Sequence, residues 1–369
     1  TATDADFLAI ESVVAHEYLH NWSGNRVTLR DWFQLSLKEG LTVFRDSEFS
    51  ADLHSRAIKR IEAVRVLRGR QFAEDSGALA HPVRPDRYRE ISNFYTLTIY
   101  EKGAEVIRLL HTLLGEDVFR AGMDRYFADN DGRAATIEDF LAAHAAASGR
   151  DLSQFALWYS QAGTPELAVN EHFDAATGDY TLTVDQHVPP TPGQPVKQPM
   201  LVPLRLALYA DDGAAITAPP ETDAMINGAG NGAMVELVAA RHVLRWRGLA
   251  GKPLATFNQG FAAPVKIAFA QSPADLARSV RVERDEVYRW DGLQRLATRA
   301  ILQRDALAAD ALEAALDDLL RDPAADPAFV AECLALPDFD TLADAIGEVD
   351  PDALLDARDA LLDRLSRAL

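Results

Sequence analysis

The apolar residues of this chain change their spacing twice, and that change limits the architecture more than any single motif. From residue 1 to about 163 they recur at intervals of three and four, around Val43 to Ile61, Ala104 to Leu114 and Ile137 to Ala147, the rhythm of helices that bury one face. Thr136 followed by Asp139 supplies a helix start, because the threonine oxygen can accept from a free N–H of the first turn. Around Gln161-Ala162-Gly163-Thr164-Pro165 the rhythm breaks, and alternation follows at Asp179 to Val184, Leu201 to Tyr209, Val235 to Val238 and His242 to Trp246. Alternation sends successive side chains to opposite faces, as in a half-buried strand. Pro189 to Pro199, rich in proline, and Asn227 to Gly232, rich in glycine, read as loops between strands. From Ser272 helical spacing returns, with Pro273 at a start and a short break near Asp322-Pro323.

The expected fold class is therefore α+β multidomain: a mostly helical domain over residues 1–163, a small β-sandwich over 164–269, and the start of an α-helical array over 270–369. A length of 369 residues with 48% apolar content can fill cores of that size. The chain opens at Thr1, and Ile10, Val13 and Val14 already form one helical stripe, while Leu354 to Leu369 are still in helical rhythm. Such a chain is expected to be a piece of a longer one. The formal net charge of −19 argues against nucleic acid or an anionic membrane surface as partner, since both require clustered Lys and Arg. No apolar run reaches the length of a membrane span, and no basic segment followed by an apolar one opens the sequence. The single cysteine, Cys333, cannot form an internal disulfide and is expected to be a small buried apolar residue.

The chemistry concentrates in His16-Glu17-Tyr18-Leu19-His20. Residues four apart share one face of a helix, so two imidazoles can chelate one ion while the glutamate after the first histidine reaches a water on it. A catalytic zinc takes three protein ligands and keeps one position open. Eighteen residues separate His20 from Glu39, in Leu35-Ser36-Leu37-Lys38-Glu39-Gly40. A loop through Trp22 to Asp31 and a second helix starting near Ser36 would bring that carboxylate beside the first helix and complete a His2Glu set. Two plainer accounts stand beside this: a chance HExxH on a solvated helix, and Glu39 closing a capping box with Ser36. Asp46, seven residues after Glu39 on the same helix face, is either an acceptor that orients a ligand or a solvated acid. His54, His81, His111, His144, His172, His187 and His242 have no partner at ligand spacing and are expected in surface or packing roles.

The run from His16 to Phe44, HEYLHNWSGNRVTLRDWFQLSLKEGLTVF, resembles the zinc-binding core of the bacterial aminopeptidase N family, gluzincins in which HExxH is followed by glutamate after eighteen residues. The likeness continues through Phe72-Ala73-Glu74-Asp75, His81-Pro82-Val83-Arg84-Pro85, Asn93-Phe94-Tyr95-Thr96-Leu97, Tyr100-Glu101-Lys102-Gly103-Ala104-Glu105-Val106-Ile107 and Trp158-Tyr159-Ser160-Gln161. It is dense to about residue 165, patchy through the β segment and weak in the helical end. The resemblance implies a thermolysin-like fold for the first domain, lacking its N-terminal part, with one Zn2+ held by His16, His20 and Glu39 and with Glu17 as general base. It implies that Tyr100 is the tyrosine whose hydroxyl stabilises the oxyanion; from the residues alone, Tyr100 reads equally as a core tyrosine beside Phe94 and Tyr95. Tyr95 is implied to line the pocket for the first substrate side chain. Glu101 is implied to help bind the substrate's amine, although an exposed glutamate at a helix start is an equal account. Ser92 stands where the family carries asparagine, so no substrate contact is carried over to it.

In this family a Gly-Ala-Met-Glu-Asn segment upstream of HExxH largely reads the free α-amino group. The residues before His16 do not contain it, and the look-alike Gly232-Ala233-Met234-Val235-Glu236 lies far downstream in the β region, where it is taken as chance. The expected function is zinc-dependent release of N-terminal residues from peptides with a free N-terminus, by a cytoplasmic monomer, the piece alone being inactive. The alternatives are a zinc endopeptidase or an epoxide hydrolase on the same scaffold, and a noncatalytic binding module. The amine-binding segment separates the first two from an aminopeptidase, and an intact set of His16, Glu17, His20, Glu39 and Tyr100 speaks against the third.

Overall fold

Capping decides where the first helix begins. In the computed structural model, which describes residues 2–228, 232–346 and 348–369, the Thr3 hydroxyl accepts from the Asp6 N–H while Asp6 accepts from the Thr3 N–H, opening α1 (Asp4–Leu19). It packs on α2 (Leu35–Leu53). Ser55 caps α3 (Arg56–Val66), which runs through a π-helical turn, Leu67–Gln71, into α4 (Phe72–Ser76). A second π turn, Thr98–Lys102, leads into α5 (Gly103–Leu114), followed by α6 (Glu116–Asn130), α7 (Ile137–Ser148) and α8 (Leu157–Ser160). The helix start at Thr136 is present, with a full capping box to Asp139. Two short parallel strands, β1 (Thr28–Leu29) and β2 (Ala134–Ala135), tie the loop after α1 to the approach to α7.

The expected α1 stripe is there but does not face a core: Ile10, Val13 and Val14 are 56%, 59% and 62% exposed, and Ala15 is the helix's buried residue. The buried helix is α2, and it crosses α5 at a pair of glycines. A Cβ on Gly40 would lie 2.7 Å from the Gly103 carbonyl carbon and 3.0 Å from the Ala104 nitrogen, so the two backbones touch and only hydrogen fits between them.

The sandwich has two four-stranded sheets. One orders β10 (Lys266–Phe269), β3 (Glu166–Asp174), β4 (Asp179–His187) and β8 (Arg241–Trp246), and the other β6 (Met225–Asn227), β7 (Ala233–Leu237), β5 (Val202–Tyr209) and β9 (Leu254–Phe257). Val169 pairs with Val184 and Leu182 with Leu244, so the buried alternate residues of β3, β4 and β8 line one inner face. The sequence pattern did not mark β3, β6, β9 and β10. β9 is buried at all four positions, and a strand covered on both faces has no alternation to detect. Of the glycine-rich stretch 227–232, residues 229–231 lie outside the described ones.

The third part is α9 (Pro273–Val282), α10 (Glu286–Leu302), α11 (Ala306–Arg321), α12 (Pro327–Leu334), α13 (Phe339–Asp344) and α14 (Pro351–Ala368). Cys333 sits buried in its core, and burial pushes its thiol up to about 12. Across the junction, Arg60 pairs with Glu105 in a buried contact while donating to the Gly260 and Phe261 carbonyls. Among the described residues no helix is long and apolar enough to cross a membrane.

Candidate metal centre

Helical periodicity brings the first two groups together: His16 lies in the last turn of α1 and His20 caps it. Their Nε2 atoms stand 3.0 Å apart, and each is 3.3 Å from Glu39 Oε2, delivered by the first turns of α2. The three form a set whose ligand atoms all lie within 4.8 Å of one another. A tetrahedral zinc with bonds of about 2.0–2.1 Å would place its ligand atoms roughly 3.3 Å apart, so the observed triangle is already the size of one face of that tetrahedron.

The outer ring nitrogens explain the orientation. His16 Nδ1 donates to Asp46 Oδ2 at 2.7 Å, and His20 Nδ1 to the Ser23 carbonyl at 3.0 Å, with the buried Thr42 hydroxyl 3.2 Å away. With Nδ1 of each ring committed to these acceptors, the proton that a metal displaces comes from Nε2, whose lone pair then faces the centre. Lys38 Nζ donates to Glu39 Oε1 at 2.7 Å and leaves Oε2 for the histidines. Burial opposes ionisation of Glu39, but hydrogen bonds from His16, His20 and Lys38 outweigh it and hold the carboxyl well below its ordinary range. Burial likewise opposes charge on His16, yet hydrogen bonds to Asp46 and Glu39 push it up to about 9. Asp46 is raised by burial. A cation entering this centre therefore meets an ionised carboxylate and displaces a proton from an imidazole.

Glu17, next to His16, is exposed. Tyr100 comes in from the π turn before α5, half-buried, with its hydroxyl against Glu39; burial first and that carboxylate next raise it well above a normal phenol. Tyr95 is 53% exposed and stands between Trp32 and Tyr100, with ring centroids 6.4 Å and 6.3 Å away. Glu101 is raised by burial, with the Glu105 and Asp46 carboxylates adding to it. The capping box between Ser36 and Glu39 does not form: Ser36 Oγ is buried without a hydrogen-bond partner among the described residues. The downstream look-alike belongs to β7, where buried Glu236 pairs with Arg150 and Asn227. Trp32, Ser23, Lys38 and Thr42 escaped the sequence reading. Only Lys38 had a local signal, its place beside Glu39 in the chain.

The first 159 residues match the description Peptidase family M1 domain, residues 163–270 match a domain of unknown function with an Ig-like fold, and residues 273–369 match one of ARM repeats. Residues 1–159 are thus a peptidase family M1 domain. It is 45% identical over 381 residues to aminopeptidase N of Escherichia coli, covering 100% of this chain and 43% of that protein. Against aminopeptidase N of Caulobacter vibrioides it is 48% identical, covering 99% of this chain and 42% of that one. The crystal structure of Legionella pneumophila aminopeptidase A in complex with aspartic acid superposes with a TM-score of 0.83 at 27% identity, covering 100% of this chain and 40% of that chain. The chain thus spans less than half the length of these relatives.

Proposed function

We propose that the chain is part of a zinc-dependent aminopeptidase that hydrolyses the first peptide bond of substrates with a free N-terminus. The observation that carries this is the convergence of His16, His20 and Glu39 beside an exposed Glu17 and a tyrosine hydroxyl. His16, His20 and Glu39 would hold Zn2+, which would supply Lewis acidity to polarise the scissile carbonyl and lower the pKa of a water. Glu17 takes a proton from that water and passes it to the leaving amine. The Tyr100 phenol, raised in pKa, stays protonated at neutral pH and donates to the carbonyl oxygen as negative charge builds there. Tyr95 and Trp32 offer an apolar wall to the first side chain. Glu101, raised by burial, offers a carboxyl group to the substrate's ammonium, whose positive charge would favour its ionised form. Asp46 holds His16 in register.

A cytoplasmic, monomeric protein belongs to the same proposal and rests on the family likeness. Residues 1–369 alone are expected to be inactive, since the helix that carries His16 and Glu17 leaves its apolar stripe in solvent; measurable peptide hydrolysis by them would refute this. The deciding experiment is Glu17→Gln in a protein of the relatives' full length. It should bind one zinc, read by elemental analysis, and lose about 10²- to 10⁴-fold in kcat on an aminoacyl anilide. Wild-type turnover in that variant would sink the mechanism.

A further inference from the structure

Tyr100 sits on a π-helical turn, Thr98–Lys102, a geometry that proteins use sparingly and often at functional sites. Both ends of that turn are tied down. Upstream, the Thr98 N–H and hydroxyl both donate to Glu74 Oε1, at 2.8 Å and 2.5 Å, and Gln71 Nε2 donates to the same hydroxyl at 3.3 Å. Downstream, Lys102 Nζ donates to Asp75 Oδ2 at 2.6 Å and to the Gly163 carbonyl at 3.0 Å. Asp75 also accepts from the Gly163 N–H at 3.0 Å and the Thr164 hydroxyl at 2.9 Å. The Lys102 and Asp75 side chains are 1% and 0% exposed.

A fully buried ion pair is a poor device for stability alone, because desolvation consumes much of its attraction. What such a pair supplies well is a fixed geometry, since each group leaves its place only by stranding a buried charge. Here the fixed points are the residue two after Tyr100 and the segment, Gly163–Thr164, that enters β3. We propose that Asp75 and Lys102 are positioning residues for Tyr100, clamping its turn against the entry to the sandwich so that the hydroxyl stays over Glu39. This rests on the role of Tyr100 proposed above. The clamp makes the aim of the oxyanion donor depend on the docking of the sandwich, which supplies two of the four groups in the network.

The test is a double-mutant cycle in zinc-loaded protein of the relatives' full length, reading kcat and KM on an aminoacyl anilide. Lys102→Met and Thr164→Val are each made alone and in a Tyr100→Phe background. Lys102→Met should lower kcat roughly 10- to 100-fold, with zinc content retained and KM changed by no more than about twofold. In the Tyr100→Phe background the same change should cost almost nothing, because a group that acts through the hydroxyl has nothing left to aim. Thr164→Val should show a smaller loss with the same dependence, and it decides the matter if Lys102→Met does not fold. Equal fold-losses in both backgrounds would overturn the positioning role and leave a plain structural pair. A Tyr100→Phe protein as fast as wild type would overturn the role of Tyr100 itself and this inference with it.

Discussion

The two helices that meet at the metal centre solve opposite problems. α2 is sunk in the protein, with Leu37, Leu41 and Phe44 buried on one side and Glu39, Thr42 and Asp46 buried on another. α1 lies on the surface, with Phe7, Ile10, Val13 and Val14 all more than half exposed. Yet each supplies groups of equal importance to the centre. Leaving a buried polar group unpaired is costly, and while Ser36 on α2 bears that cost, Glu39, Thr42 and Asp46 are each held by a hydrogen bond, to Lys38, His20 and His16. The histidines of α1 are aimed only by what α2 and the Ser23 carbonyl offer them.

That contrast can be broken experimentally, beginning with the largest effect. His20→Ala removes one corner of the triangle, and the protein should come off a desalting column without zinc. Asp46→Asn leaves all three ligands but weakens the hold on His16; zinc affinity, measured by competition with a chromophoric chelator, should fall about 10- to 100-fold. Gly40→Ala acts from the other side of α2. The added methyl has no room at the crossing with α5 and should cost on the order of 1–3 kcal/mol in urea unfolding, along with turnover as Glu39 moves away from Tyr100.

A smaller effect separates the helices by pH. Glu48 on α2 is pushed up by burial but held below its ordinary range by Arg108 and Arg56. A carboxyl depressed in the folded state contributes stability that is complete above its unfolded value and lost as pH falls through the folded one. Glu48→Gln should therefore be less stable than wild type at neutral pH, with the difference shrinking on acidification below about 4.5 in urea titrations. Last, Ile10→Ser with Val13→Ser on residues 1–369 should change unfolding stability by no more than about 0.5 kcal/mol each. A loss of several kcal/mol would show that the stripe is buried after all.

Spacing made His16, His20, Glu39 and Asp46 readable as a group, because a four-residue or seven-residue interval on a helix fixes a direction in space. Nothing comparable joins Thr42 to His20 or Lys102 to Asp75 and Gly163. Those contacts connect distant segments, and a lone lysine or threonine carries no sign of its partner. The overall order of helical, sandwich and helical parts came from periodicity, which also supplied β4, β5, β7 and β8. It missed β3, where Leu167 and Val169 are the fully buried apolar residues, and β9, where both faces are covered. For α1 the pattern was seen correctly, but amphipathicity says which residues avoid water, not whether anything covers them.

The two largest hydrophobic cores among the described residues do not follow the sequence divisions. Phe155 and Trp158 of the first part share a core with Leu167, Leu182 and Val202 of the sandwich, and the Trp158 indole donates to the Leu201 carbonyl. Ile61, Val64 and Phe72 belong instead to the core of the terminal helices. The first segment thus completes both cores, and Phe261 of the second joins the core of the terminal helices. Cutting the chain near residue 163 or 270 would yield pieces that expose apolar surface, not autonomous folding units, and limited proteolysis there should be followed by aggregation rather than by release of stable domains.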